Sequence, residues 1–209
     1  MKKILLILLA LLFLSHWVYA REWKAYMAYH DATYNWPTPS KIYALSDGSI
    51  FTYIPGETQV HTFSKATGMS DCKILHMAYN EAEDAFLVVY SNYNMDVLGT
   101  NDSITNMPEY KNSDIKDKTV NHITMNGYKA YIATNSGITV VNMHRREFSN
   151  TYNFGVKVLS CACVGDYIVA LTEKGIYNGS THTNLLDASN WKQKNTYILN
   201  YLFPFNNKV

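Results

Sequence analysis

The sequence is poor in the features that mark most enzymes and most membrane or nucleic-acid proteins. It has three cysteines, Cys72, Cys161 and Cys163, in 209 residues. An odd count excludes a fully paired disulfide framework. Cys161 and Cys163 stand two apart, so on a strand they share a face and do not bridge each other. All three are expected as small buried hydrophobes. No H-E-x-x-H, C-x-x-C or acidic calcium loop occurs, so neither a metal nor another cofactor is implied. No G-x-S-x-G elbow occurs either. Charge is sparse: 18 basic against 17 acidic residues, a formal net of +1. That balance gives no electrostatic footprint for nucleic acid. Long helical periodicity is missing, which points to an all-β chain. The one long apolar run, Ile4–Leu14, is 11 residues, too short to span a bilayer as a helix.

That run follows Met1-Lys2-Lys3 and precedes Val18-Tyr19-Ala20. This is the charged, apolar and small-residue order of a secretory signal. Residues 1–20 are read as a signal peptide cleaved between Ala20 and Arg21. The mature chain then carries a net charge of −1 and no transmembrane segment.

What the sequence does have is a repeated grammar of strands and tight turns. Asn121–Met143 reads as three short strands joined at Asn126-Gly127 and Asn135-Ser136-Gly137. Asn-Gly and Ser-Gly tolerate the positive φ of two- and three-residue hairpins. The β-branched and aromatic residues between them suit a half-buried pleated surface. Leu159–Ser180 repeats the pattern, with turns at Gly165-Asp166 and Glu173-Lys174-Gly175. Ile74–Leu98 repeats it with a longer first turn at Asn80–Asp84, and Asn94 stands there in place of glycine in a left-handed position. Ile42–Ile54 is a partial copy turning at Asp47-Gly48. The markers Gly48, Asn94, Gly137 and Gly175 lie 46, 43 and 38 residues apart. A period near 40–45 residues with several strands per unit is the mark of propeller blades.

The expected fold is therefore all-β, a β-propeller of three- to four-stranded meander blades. The units fall near 22–66, 67–118, 119–156 and 157–209. Asn35–Ser40, with two prolines, is expected as a loop or edge. Gly99–Lys118 reads as an outer strand plus a linker, Glu147–Phe154 as an outer strand, and Leu185–Trp191 as a loop. Thr196–Phe205 is strongly apolar. Four incomplete units are the lower limit for a closed ring, and an incomplete ring belonging to a longer propeller is the reading taken.

Ile42–Phe51, the tag Gly68-Met69-Ser70-Asp71 and the Ile74–Leu98 block resemble the first blades of propellers of the two-component-regulator type. The further stretch from Asn112 through Ala130–Thr134 to Gly137–Val141 resembles more closely the N-terminal propeller of the PorZ family, surface components of the type IX secretion system of the Bacteroidetes. The resemblance implies export through the periplasm to the outer membrane and cell surface. It also implies a place in an attachment complex beside a sortase and an outer-membrane anchor, and binding of anionic lipopolysaccharide. Family members carry a second propeller and a C-terminal sorting domain that this chain does not show. No glycan-binding residue carries over from a short motif.

Read residue by residue, the binding candidates are few. Arg145 and Arg146, in the turn after Ile138–Met143, suit a phosphate or carboxylate of an anionic glycan. A solvated hairpin tip is the plainer reading. Trp36, with Tyr34, Tyr90, Tyr93 and Trp191, suits stacking on sugar rings, although packing between blades is the commoner use of such residues. His76 and His122 fall near the start of equivalent strands and suggest repeat structure more than a ligand pair. Asp47, Asp71, Asp84, Asp96, Asp166 and Glu173 mostly sit in turns, where acids are expected anyway. Asp102-Ser103-Ile104 resembles a short O-glycosylation sequon. The expected function is non-enzymatic recognition. The alternatives are the oligosaccharide-sensing propeller of a hybrid two-component regulator and a propeller glycosidase or lyase, which needs paired carboxylates at one mouth of the ring.

Overall fold

The computed structural model describes residues 31–195. Residues 1–20, read above as a signal peptide, and the apolar stretch Thr196–Phe205 lie outside the described residues.

Among the described residues sixteen strands form four separate four-stranded antiparallel sheets, each in simple meander order. Blade 1 is β1 (Ala32–Pro37), β2 (Ile42–Ser46), β3 (Ser49–Tyr53) and β4 (Val60–Phe63). Blade 2 is β5 (Ile74–Asn80), β6 (Ala85–Tyr90), β7 (Met95–Gly99) and β8 (Ile104–Met107). Blade 3 is β9 (Val120–Asn126), β10 (Lys129–Thr134), β11 (Gly137–Asn142) and β12 (Glu147–Tyr152). Blade 4 is β13 (Val158–Val164), β14 (Tyr167–Thr172), β15 (Gly175–Ser180) and β16 (Trp191–Asn195). The chain is an incomplete β-propeller: the four blades do not close a ring. Pro37 ends β1, an edge strand, where its missing N–H costs no ladder bond. The linker after β8 holds one short helical turn, Glu109–Asn112.

Blades stack through their faces. Phe86, Val88 and Tyr90 of β6 pack with Tyr43, Leu45 and Ile50 of blade 1. Leu87 and Val89, on the other face of the same strand, pack with Ala130, Ile132 and Val141 of blade 3. Tyr131 and Ala133 of β10 in turn meet Ile168 and Ala170 of blade 4. The middle strands are thus covered on both faces, and all six residues of β6 are buried. Half-burial, the expectation from composition, applies instead to the outer strands such as β12.

The turns differ from the sequence reading at two points. Asp47 and Gly48 both have positive φ, at 48° and 72°, as a two-residue hairpin demands. In blade 2, however, it is Tyr93 (φ 63°) that takes the left-handed position, not Asn94. Asn94 is buried and donates its side-chain amide to Asp71 at 2.9 Å. The second difference is near the end of the described residues: Leu185–Trp191 is not wholly a loop, because Trp191 opens β16 and pairs with Gly179 of β15.

The tag before blade 2 works as a latch. Met69 is buried against the contact between blades 1 and 2. The Ser70 N–H donates to Asp96 at 2.9 Å. The Asp71 carboxylate accepts from Asn94 and lies 3.5 Å from both Lys65 and Lys111. Blade 3 repeats the device: Asp117 accepts from Asn135 at 2.9 Å. The linker acid thus holds the turn between the second and third strands of its blade.

Candidate functional site

The inner strands β1, β5 and β9 line a cavity of about 520 Å³ at the centre of the blade arc. β1 supplies Tyr34 and Trp36, β5 supplies Leu75–Tyr79, and β9 supplies His122–Met125. Each inner strand shifts register near its second residue: between Ala32 and Tyr34, between Ile74 and His76, and, against Ala133 and Thr134, between His122 and Val120. A bulge re-aims the side chains around it. Leu75, left out of the pairing, stands 49% exposed at the cavity.

His76 and His122 occupy equivalent positions on β5 and β9. His76 Nε2 donates to the Val120 carbonyl at 2.9 Å, which ties blade 2 to blade 3. The Thr124 hydroxyl donates to the Cys161 carbonyl at 2.6 Å, so at 3.2 Å it accepts from His122 Nδ1. Burial pushes the pKa of both rings below the ordinary histidine value, and the nearby His76 pushes His122 further the same way. Both are neutral at pH 7 and work as fixed hydrogen-bonding groups. The repeat reading of the two histidines holds, and the cavity brings them together as well.

The aromatic wall is built on Phe86. Trp36 meets Phe86 edge-on at 5.9 Å, and Tyr79 tilts against it at 4.8 Å. Tyr34 stacks on Trp36 at 5.6 Å and stands 58% exposed. The Tyr79 hydroxyl donates to Asp84 at 2.5 Å. Of the proposed stacking residues, Tyr34 and Trp36 reach the cavity. Tyr90 and Trp191 are buried between blades and present no face to a ligand. Trp191 stacks on Phe154 at 4.3 Å instead. Tyr93 packs at the blade 2–3 contact.

Arg145 and Arg146 do not act as a pair. Arg146 sits at positive φ (56°) and donates to Thr105 Oγ1 of blade 2. Arg145, its side chain 72% exposed, lies 3.5 Å from Glu147. It borders a smaller hollow of about 380 Å³ with Glu83, Tyr128, Asn142 and His144. His144 Nδ1 lies 3.1 Å from Glu83 and bridges blades 3 and 2. The two arginines diverge because the left-handed residue turns the chain between them.

The cysteines are all free, and Cys72 is exposed, contrary to the expectation of burial. It lies at the end of the linker latch, where the chain crosses the surface before β5. Cys161 is fully buried, and burial pushes its thiol pKa far up. The carboxylates mostly fall in turns as expected, but Asp96 does not. It lies in β7, fully buried, and accepts from Ser70, from Tyr90 and, at 2.8 Å, from Asn106. Among the described residues no three His, Cys, Asp or Glu side chains gather as a metal site, and no helix is long and apolar enough to cross a membrane. The cavity itself was not foreseen. Its signal in the sequence was the alignment of Ile74-Leu75-His76 with Val120-Asn121-His122, which puts both imidazoles at one level of the inner strands.

Comparison with known proteins places this architecture. The family model described as the N-terminal β-propeller domain of PorZ, of the type IX secretion system, matches residues 42–192. No curated protein matches the chain. Among solved structures it is similar to PorZ of Porphyromonas gingivalis, described as an essential bacterial surface component of that system. There the identity is 28% and the TM-score 0.76, over 83% of this chain and 24% of that one. It is also similar to the extracellular domains of two proteins described as hybrid two component systems from B. thetaiotaomicron. These share 18% identity (TM-score 0.59, covering 80% of this chain and 23% of that one) and 17% identity (TM-score 0.55, covering 83% and 24%). At those identities the likeness is one of fold alone. The chain spans about a quarter of the length of each of these structures. With the family model matched over residues 42–192, most of its length, the chain belongs to the family of PorZ N-terminal β-propeller domains.

Proposed function

We propose that this chain is a non-enzymatic recognition module of the type IX secretion system. It is exported by residues 1–20 with cleavage between Ala20 and Arg21, and it acts at the outer membrane and cell surface. Its partners are the sortase and the outer-membrane anchor of the attachment complex, together with anionic lipopolysaccharide. The observation that carries the reading is the family match over 42–192, joined to 28% identity with a surface component of that system. The geometry supports recognition over chemistry. The inner-strand cavity presents rings, neutral imidazoles and, among the described residues, the carboxylate of Glu81, a lining suited to holding a partner group. For an anionic glycan the hollow at Arg145 is the better seat, since its guanidinium is exposed and only loosely engaged.

The test is direct binding of the full chain to purified sortase and anchor, and to anionic lipopolysaccharide, by calorimetry. Saturable binding to any of the three supports the reading, and Arg145→Ala weakens lipopolysaccharide binding alone. If none of the three binds, the reading fails. A likeness in fold to sensor domains does not by itself favour the oligosaccharide-sensing alternative.

A further inference from the structure

The central cavity is one of three adjoining hollows that share Tyr79 and Glu81. The second, of about 560 Å³, runs along the end of β5 to Gly127, and the third, of about 440 Å³, runs to Pro37–Pro39 and Asp84. Together they make an elongated depression at the mouth of the blade arc. No lysine or arginine lines any of the three among the described residues, while Glu81 and Asp84 do. Glu81 is exposed and makes no ion pair among the described residues. Asp84 is kept ionised by hydrogen bonds from Thr100 and then Tyr79. The two histidines, held neutral by burial, add no positive charge.

The rings beside these carboxylates are held in place. Trp36 and Tyr79 both rest on the fully buried Phe86, and Tyr34 stacks on Trp36. Aromatic faces next to a carboxylate attract a cation and do nothing for an anion. A partner's side chain loses less freedom on meeting rings that are already fixed.

We propose that the Tyr34–Trp36–Tyr79 wall and Glu81 form a docking site for a lysine or arginine side chain on an extended, basic segment of a partner protein. The alkyl stem lies along the ring faces, the charged head reaches Glu81, and the flanking backbone follows the two side hollows. Charge complementarity and the length of the depression favour this occupant over an anionic glycan, which both carboxylates repel. The site stands or falls independently of the proposed place in the secretion system, since nothing in it uses Arg145.

The test uses the full chain and fluorescein-labelled heptalysine, followed by anisotropy at about 0.15 M salt, where long-range attraction is largely screened. Heptaglutamate and maltoheptaose serve as competitors. Saturable heptalysine binding is expected, with neither competitor effective. Glu81→Gln and Tyr34→Ala, both at exposed positions, each weaken it about five- to tenfold. Glu57→Gln, an exposed carboxylate outside the depression, leaves it unchanged. Absence of saturable binding overturns the proposal. So does an unchanged affinity in Tyr34→Ala, which means that surface charge alone attracts the probe. Displacement of the probe by maltoheptaose also overturns it, in favour of a saccharide site.

Discussion

Asp96 is the residue on which blade 2 depends most. A carboxylate buried without partners costs several kcal/mol. Here the Ser70 N–H, the Tyr90 hydroxyl and the Asn106 amide all point at it. Asp96→Ala therefore orphans the buried Tyr90 hydroxyl and the half-buried Ser70 N–H at once, while the exposed Asn106 amide keeps its bonds to Asn94 and Met95. The expected loss is about 3 kcal/mol or more, read as a lower urea midpoint with an unchanged slope. Asp96→Asn keeps the shape and one acceptor, and should lose less. The cavity histidines act through pH. Burial lowers both their pKa values, so as pH falls the unfolded chain takes up protons first. Their contribution is whole above about pH 6.5, the ordinary histidine value. It is lost as pH drops from there toward the folded values. A double variant, His76→Gln with His122→Gln, should lose less melting temperature between pH 7.5 and pH 5.5 than the parent chain. Equal losses would show that the imidazoles do not titrate with folding.

At the scale of elements, two glycines of blade 3 look alike in the sequence but not in space. Gly127 closes the β9–β10 hairpin at φ 55° with nothing within 4 Å of an added Cβ. Gly137 opens β11 at φ 133°, where a Cβ would stand 2.0 Å from the Tyr152 carbonyl oxygen. Gly127→Ala should cost only the left-handed penalty, about 1 kcal/mol. Gly137→Ala forces β11 and β12 apart and should cost at least about 3 kcal/mol. Denaturant midpoints of the two variants decide it, and similar losses would mean that backbone preference alone matters. These turns show why the meanders were legible in the sequence. Asn-Gly, Gly-Asp and Asp-Gly state their conformation locally, and the strands between them carry their own β-branched signal. Tyr93 was not legible, because its left-handed conformation is imposed by Asn94 turning inward to the latch acid Asp71, 23 residues back. β16 was hidden for a similar reason. Its Trp191 is held by tertiary contacts with Leu185 and Phe154, while Lys192, Gln193 and Lys194 carry no β-branched or aromatic signal. The cavity was only half legible, since Trp36 and the paired histidines could be singled out, but no local pattern states that β1, β5 and β9 converge.

At the scale of the molecule, the blades form a row of nearest neighbours, and stability should follow position in it. Blades 2 and 3 are covered on both faces, so β6 and β10 carry nearly continuous buried runs. Among the described residues blade 1 packs against blade 2, and on its other face Tyr53 stands 42% exposed. The ion pairs between blades, Lys41–Asp102 at 2.6 Å and His144–Glu83 at 3.1 Å, each have one well-exposed partner and contribute at most about 1 kcal/mol each. The faces therefore dominate, and opening should begin where a face is uncovered. Amide hydrogen exchange of the full chain, read by mass spectrometry, should find β6 and β10 slowest and β2 and β3 distinctly faster. Leu87→Ala removes a side chain from the contact between blades 2 and 3, at a cost of about 2–5 kcal/mol. It should speed exchange in both of those blades together and change blade 1 less, because Leu87 faces away from it. If blade 1 instead exchanged as slowly as blade 2 in the parent chain, and Leu87→Ala loosened all four blades equally, the row would open as a single unit, and the coupling between blades would exceed what their packed faces supply.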